Sequence, residues 1–258
     1  MKKTILVLLL ITTFLSCKND ENADQTTLGD FTFSSKVITQ NEPFTITYNG
    51  EGKLEDSFYQ AMQHTQAFPD DLEFVDNKAT LTVADTISAV VFNLKVDGTF
   101  DTNDKQGFLF QVNDPDGNLV ADSDASLKYY TMTYGQEYEL KNDAGETLKA
   151  IGETLANHPN LTEDWRQSHI YVANQVGGAE GKKVGEQYIA QYASKNDMTI
   201  EDYRAIAGVY GALRQTEKSD SIVQIVIEKF PDSDLALRPK IDQFFEAKDL
   251  ASKEAIFN

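Results

Sequence analysis

This chain offers few residues for chemistry. Its single cysteine is Cys17, its histidines are His64, His158 and His169, and 41 acids stand against 23 bases. A thiolate is a strong nucleophile and soft metal ligand, but one cysteine alone forms neither an internal disulfide nor a redox dithiol. None of the histidines stands in a ligand spacing with another His or Cys, which argues against zinc. His169, beside Trp165 on an apolar helical face, reads as a core residue rather than a base. A Ser-His-Asp set brought together from distant residues is open to any chain of this size, and no spacing singles one out. Asp97, Asp101, Asn103 and Asp104 crowd one loop; Asp114, Asp116, Asn118, Asp122 and Asp124 crowd another. Such oxygens suit calcium, yet neither loop has Gly at its sixth position and Glu at its twelfth, so both read as polar hairpin loops. Gly181-Lys182 fails as a phosphate loop, because Val176 stands where the first Gly is needed and Lys183 where Ser or Thr must bind magnesium. No catalytic residue, metal site or cofactor is expected.

The thiol of Cys17 has a telling approach. Lys2 and Lys3 precede an apolar run from Ile5 to Ile11, and Phe14-Leu15-Ser16 leads into Cys17. That order predicts a secretory signal over 1–16, too short to span a bilayer. The Leu-Ser-Cys ending resembles a bacterial lipobox, with Phe14 where Leu is usual. The resemblance implies a diacylglycerol on Cys17 and an outer-membrane lipoprotein, periplasmic or surface-exposed. Each buried methylene of such an anchor contributes about 0.8 kcal/mol. An ordinary signal peptide with an incidental cysteine is the alternative. Lys18, Asp20 and Glu21 resemble the surface-export signal of Bacteroidota-type lipoproteins, and a solvated tether explains them equally well. Asp85-Thr86-Ile87 resembles an O-glycan acceptor, with Thr86 as the modified residue. Asp220-Ser221-Ile222 has the same pattern inside a predicted helix.

Loss of residues 1–16 would remove Lys2 and Lys3 and no acid, moving the formal charge from −18 to about −20. A chain this negative repels nucleic acid and anionic lipid and favours cationic partners. With 41% hydrophobic residues and fifteen Phe, it has the material for packed cores.

Two hydrophobic periods divide it. Residues 17–28 read as the lipidated cysteine and a flexible tether. From 29 to 138 the period is two: Phe31 and Phe33; Phe44, Ile46 and Tyr48; Ala79, Leu81 and Val83; Phe108, Phe110 and Val112. Ile87 to Val96 is denser and predicts a central strand. Asn49-Gly50, Asp97-Gly98 and Asp114-Pro115-Asp116-Gly117 supply turns. Short strands over about 110 residues predict an antiparallel β-sandwich, immunoglobulin-like in plan but without its Cys-Trp-Cys set. Tyr129 and Tyr130 are expected to straddle a strand, filling the core or stacking on a sugar.

From 139 to 258 the period is helical. Asp143 is an N-cap with Glu146 three residues on, and Pro159 ends that helix. Thr162 is expected to cap the next, carrying Trp165, His169 and Val172. Gly177-Gly178 breaks the chain before Val184, Tyr188 and Tyr192. Thr199 to Pro231 resembles a tetratricopeptide-type helix pair, with Tyr203 and Tyr210 as candidate protein-binding residues and Ser219 in place of the usual alanine. A further helix is expected over 241–250. The fold class is therefore α+β, a sandwich followed by a tetratricopeptide-like helical domain.

The order lipobox, sandwich opening with Pro43-Phe44-Thr45-Ile46-Thr47-Tyr48-Asn49, Asp101 to Phe110, Asp116-Gly117-Asn118 and helices is similar to the N-terminal accessory half of TlpA-type thioredoxin-like lipoproteins. In that family a Cys-x-x-Cys domain follows the helices, and no residue here takes its redox role. Leu250, Ile256 and Phe257 look like the start of another amphipathic helix, an ending expected of an incomplete chain. Three expectations follow. The first is a non-catalytic, lipid-anchored protein-binding or accessory module, attached to the membrane through Cys17. The second is the accessory half of a thiol-disulfide reductase. The third is a surface glycan- or ligand-binding lipoprotein.

Overall fold

The computed structural model describes residues 25–256. The signal segment, Cys17, Lys18, Asp20, Glu21 and Phe257 lie outside the described residues. The layout is α+β, strands first and helices after.

One sheet holds β1 (Thr26–Leu28), β2 (Phe31–Phe33), β4 (Phe44–Tyr48) and β7 (Lys78–Leu81) in the order β1-β2-β4-β7. Order thus begins earlier than the expected tether end at residue 28. Thr26, Thr27 and Leu28 pair with Phe33, Thr32 and Phe31 across a tight turn, where Gly29 takes φ +55°. The second sheet runs β3 (Ile38–Thr39), β10 (Phe108–Asn113), β8 (Ala89–Val96), β5 (Ser57–Gln63), β6 (Gln66–Leu72), with β9 (Thr99–Asp101) also on β8. The sandwich is not purely antiparallel. The segment leaving β2 crosses between sheets and meets the β10 edge in parallel, Ile38 opposite Val112.

The two sheets face each other through alternate residues, as the period of two requires. Phe31, Phe33, Phe44, Phe92, Phe108 and Phe110 meet between them, all buried. Phe33 and Phe110 lie 4.6 Å apart, and Phe44 stacks on Phe92 at 5.9 Å. Each such ring contributes about 1.5–3 kcal/mol by burial. β8 is apolar on both faces for a reason. Val90, Phe92 and Leu94 enter the inter-sheet core, while Ala89 and Val91 meet Leu127, Tyr130 and Leu140 on the outer side.

That outer layer corrects the expected strand at Tyr129 and Tyr130. The segment is a helix, α1 (Ser123–Thr133), packed on β5, β8 and β10. Aromatic and Thr residues favour strands, but Ser123, Ser126, Leu127 and Tyr130 recur at helical spacing and bury one face. The serines fasten this face: Ser123 Oγ accepts from the Val112 amide at 3.0 Å, and Ser126 Oγ meets Ser88 Oγ at 2.8 Å.

Seven more helices follow among the described residues: α2 (Ala144–Asn157), α3 (Thr162–Val176), α4 (Gly178–Ala193), α5 (Ile200–Ala212), α6 (Thr216–Lys229), α7 (Asp234–Glu246) and α8 (Leu250–Ala255). Each packs on the next, and α3 also touches α5. Asp143 caps α2, accepting from the Gly145 and Glu146 amides at 2.8 and 3.0 Å. Thr199 and Asp202 form a full capping box on α5. Thr162 does not cap α3; it is the first helical residue, and its hydroxyl donates to the Pro159 carbonyl at 2.7 Å. The helix expected over 241–250 is displaced, with α7 ending at Glu246 and α8 starting at Leu250. Gly177 and Gly178 take φ +67° and +59° between α3 and α4. One turn on, a Cβ at Gly181 would stand 2.0 Å from the Ala173 carbonyl oxygen, so only glycine permits this close crossing.

Candidate functional site: the groove between alternate helices

A concave site arises because α4 packs behind α3 and α5 and leaves their other faces facing a shared gap. α3 buries Trp165, Ser168, His169, Val172 and Ala173. Its opposite face offers Arg166, Gln167, Ile170, Tyr171 and Asn174. α5 turns Tyr203 and Ile206 inward and offers Glu201, Arg204, Ala205, Gly208 and Ala212 across the gap. Together they line a groove of about 550 Å³, with Val209 at its base. Tyr171 rises from one wall, 46% exposed. Ala205, Gly208 and Ala212 make the other wall low, and a Cβ at Gly208 would meet nothing within 4 Å.

Two guanidiniums fix the polar end. Arg166 binds Glu163 and the hydroxyl of Tyr192, and lies over the Tyr192 ring at 5.5 Å. Arg204 is held by Glu201 and by Asp234 of α7. Burial raises the Tyr192 phenol pKa, and the Arg166 contact works against that rise. In a chain of −18 the groove lining carries two cations and one carboxylate, Glu201. Chemically, the guanidiniums can share a further hydrogen-bond acceptor beyond the carboxylates that already hold them, and the low wall can take a side chain.

The candidates from sequence fall elsewhere. Tyr203 is buried between α5 and α6, with Lys229 Nζ donating to its hydroxyl at 2.9 Å and Phe230 at 6.1 Å. Tyr210 is half-buried, with Lys218 over its ring at 5.4 Å. Neither lines the groove. Ser219 Oγ donates to the Ala207 carbonyl at 3.0 Å, so the replaced alanine ties α6 to α5. Thr86 is exposed in the turn before β8, whereas Ser221 sits in α6 and donates to the Glu217 carbonyl. Tyr129 is half-buried beside Trp165 and Tyr130 is buried; neither presents an open aromatic face.

The acidic loops are spent on turns. Asp114 Oδ1 accepts from the Asp116 and Asn118 amides at 3.0 and 2.8 Å, and the Asn118 bonds lower its pKa. Asp101 Oδ1 accepts from the Asn103 amide at 2.8 Å. Among the described residues no three His, Cys, Asp or Glu side chains are placed to hold a metal ion.

One constellation leaves no signal in the sequence. Asp122, 1% exposed, uses Oδ2 to accept from Trp165 Nε1 at 2.9 Å and to meet His64 Nδ1 at 2.6 Å. It stands just before α1 without capping it, and no spacing links residues 64, 122 and 165. Among the described residues the His64 ring hydrogen-bonds to Asp122 alone, so this is a junction between sandwich and helices. His169 is a buried neutral imidazole; burial pushes its pKa down to about 4, and Nδ1 lies 3.0 Å from the Tyr188 hydroxyl.

No family model matches this chain, and no curated protein is similar to it at a significant level. Among the described residues no helix is long and apolar enough to cross a membrane.

Proposed function

We propose that this chain is a non-catalytic, lipid-anchored envelope protein that binds another protein, or serves as its accessory module, through the α3–α5 groove. The groove carries this reading: alternate helices of a stacked array leave an open surface with Tyr171, Arg166 and Arg204 at its walls. Stacked helix pairs expose such concave faces as a consequence of their curvature. The anchor follows from the Leu-Ser-Cys resemblance at Cys17, and the location is the outer membrane. The test is a photo-crosslinking residue at Tyr171 of the native, membrane-bound protein, repeated in a Gly208→Phe background. The reading expects a discrete adduct that the introduced phenyl ring abolishes. An adduct indifferent to that substitution overturns it.

A second reading, the accessory half of a thioredoxin-like reductase, draws support from Ile241, Phe245 and Leu250. These are 42%, 76% and 72% exposed on α7 and α8, an apolar face of the kind that a neighbouring domain covers. The intact mass of the protein purified from its native membrane decides it: a chain longer than 258 residues with a Cys-x-x-Cys domain supports the reading, and a mass ending at Asn258 removes it.

A further inference from the structure

Tyr188 and Tyr192 stand one turn apart on α4, and both are buried. α3 and α4 join at Gly177-Gly178 and run back along each other, so the two phenols meet α3 at successive turns. Tyr188 reaches the neutral imidazole of His169, its oxygen 3.0 Å from Nδ1. Tyr192 reaches Arg166, the side chain that emerges at the polar end of the α3–α5 groove. The first contact is internal packing. The second ties a buried phenol to a charge on the candidate binding surface.

Arg166 Nη1 donates to the Tyr192 hydroxyl and to Glu163 Oε2. The same hydroxyl donates to Glu163 Oε1 at 3.2 Å, which closes a triangle. Burial raises the phenol pKa first; the Arg166 contact opposes that rise and the Glu163 charge adds to it. The hydroxyl therefore keeps its proton near neutral pH, giving a donor to Glu163 and a lone pair to Arg166. Both contacts of the guanidinium are made by Nη1. Its Nη2 and Nε have no hydrogen-bond partner among the described residues, and they belong to a side chain that lines the groove.

Glu163 alone would hold the arginine poorly. Its side chain is 63% exposed, and an exposed i, i+3 pair gains little while it costs both side chains their freedom. Tyr192, 1% exposed, supplies what that pair lacks: a fixed oxygen, and a ring whose centroid lies 5.5 Å from the guanidinium carbon. The ring is in turn held from the α5 side. Lys195 Nζ lies 4.8 Å from its centroid and donates to Asp202 Oδ1, the capping-box carboxylate of α5. Tyr192 thus ties the α3 wall of the groove to the start of the α5 wall.

We propose that Tyr192 is the positioning residue of this groove, holding Arg166 so that Nη2 and Nε are offered to a hydrogen-bond acceptor of the bound partner protein. The role rests on the reading of the α3–α5 groove as a protein-binding surface. Arg166 meets the partner, and Tyr192, sealed behind it, does not. A guanidinium held in place beforehand loses less freedom when the partner arrives, and that saving is what the phenol contributes.

The test is the photo-crosslinking yield from Tyr171 of the native, membrane-bound protein, measured for the parent, Tyr192→Phe, Arg166→Gln and the two together. Phenylalanine keeps the ring and its packing and removes only the hydroxyl. Tyr192→Phe should lower the yield at least about fivefold, with a thermal midpoint within about 4 °C of the parent. Arg166→Gln should lower it by as much or more. In that background the phenylalanine should have no further effect, because its whole influence passes through the guanidinium. A phenol with a merely structural role would weaken both backgrounds by the same factor, and that result overturns the proposal. An unchanged yield in Tyr192→Phe or in Arg166→Gln overturns it too, and leaves the groove reading standing if Gly208→Phe still abolishes the parent adduct. An adduct that Gly208→Phe leaves intact removes the groove reading itself, and the role of Tyr192 with it.

Discussion

Trp165 Nε1 donates to Asp122 Oδ2 at 2.9 Å, and the same oxygen meets His64 Nδ1 at 2.6 Å. One buried carboxylate thus joins the β5–β6 turn, the start of α1 and the body of α3. Each partner satisfies a polar group that would otherwise be buried alone.

Asp122→Ala leaves the indole N–H buried without an acceptor and should cost about 1–3 kcal/mol. Trp165 is the only tryptophan, so its fluorescence reports on this junction directly. Urea denaturation followed by that emission should show a lower midpoint with an altered emission maximum before unfolding. An unchanged midpoint would mean that the junction carries no stability.

The strands are more legible in the sequence than the helices. Alternation placed Phe31, Phe33, Phe44, Phe108 and Phe110 in one core because an inter-sheet layer imposes a period of two on every strand that enters it. The dense run from Ile87 to Val96 announced a central strand, observed at Ala89–Val96, but not the helix that covers its outer face. Tyr129, Tyr130, Thr131 and Thr133 carry strand propensity, and packing on β8 overrides it. The groove was hidden for a different reason. Tyr203 and Tyr210 stand on the face that the tetratricopeptide-like spacing marks, yet they pack toward α6, while the groove's low wall is Ala205, Gly208 and Ala212. Small residues at helical spacing were the available signal. What they face depends on α3, whose position follows from long-range packing.

Stability should rise with pH through the acid range because of His169. Its folded pKa, about 4, lies below the ordinary value of 6.5, so the unfolded chain binds the extra proton. The contribution is fully present above about pH 6.5 and is lost as pH falls from there through 4, to a total of about 3 kcal/mol. His169→Gln should flatten the pH dependence of the denaturation midpoint over this window. A variant with the same slope as the parent would contradict the assignment.

Gly181→Ala drives a Cβ to within 2.0 Å of the Ala173 carbonyl oxygen, a backbone atom that cannot swing aside. The α3–α4 crossing must open, at about 1–3 kcal/mol or more. Thermal denaturation should show the loss, and the same substitution at Gly208, where space is open, should raise stability by about 0.5–1 kcal/mol. Equal effects at the two positions would refute the packing described for α3 and α4.

The polar end of the α3–α5 groove predicts a charge preference. Arg204→Glu replaces a cation that Glu201 and Asp234 already hold, leaving three acids together. At this exposed site the stability cost should stay near about 1 kcal/mol or below. Partner adducts formed at Tyr171 should fall by about tenfold, because the carboxylate-binding group is gone. Adduct yield that survives the reversal would remove the arginine from recognition.

The measurement that tests the central claim most directly is crosslinking yield from Tyr171 in the native membrane, with and without Gly208→Phe. A Cβ at Gly208 meets nothing within 4 Å, so the introduced ring is expected to enter the open groove rather than the packed face of α5. The account predicts a discrete protein adduct in the parent and its loss in the variant, with equal thermal stability in both. An adduct of the same size and yield in the filled-groove variant would contradict it.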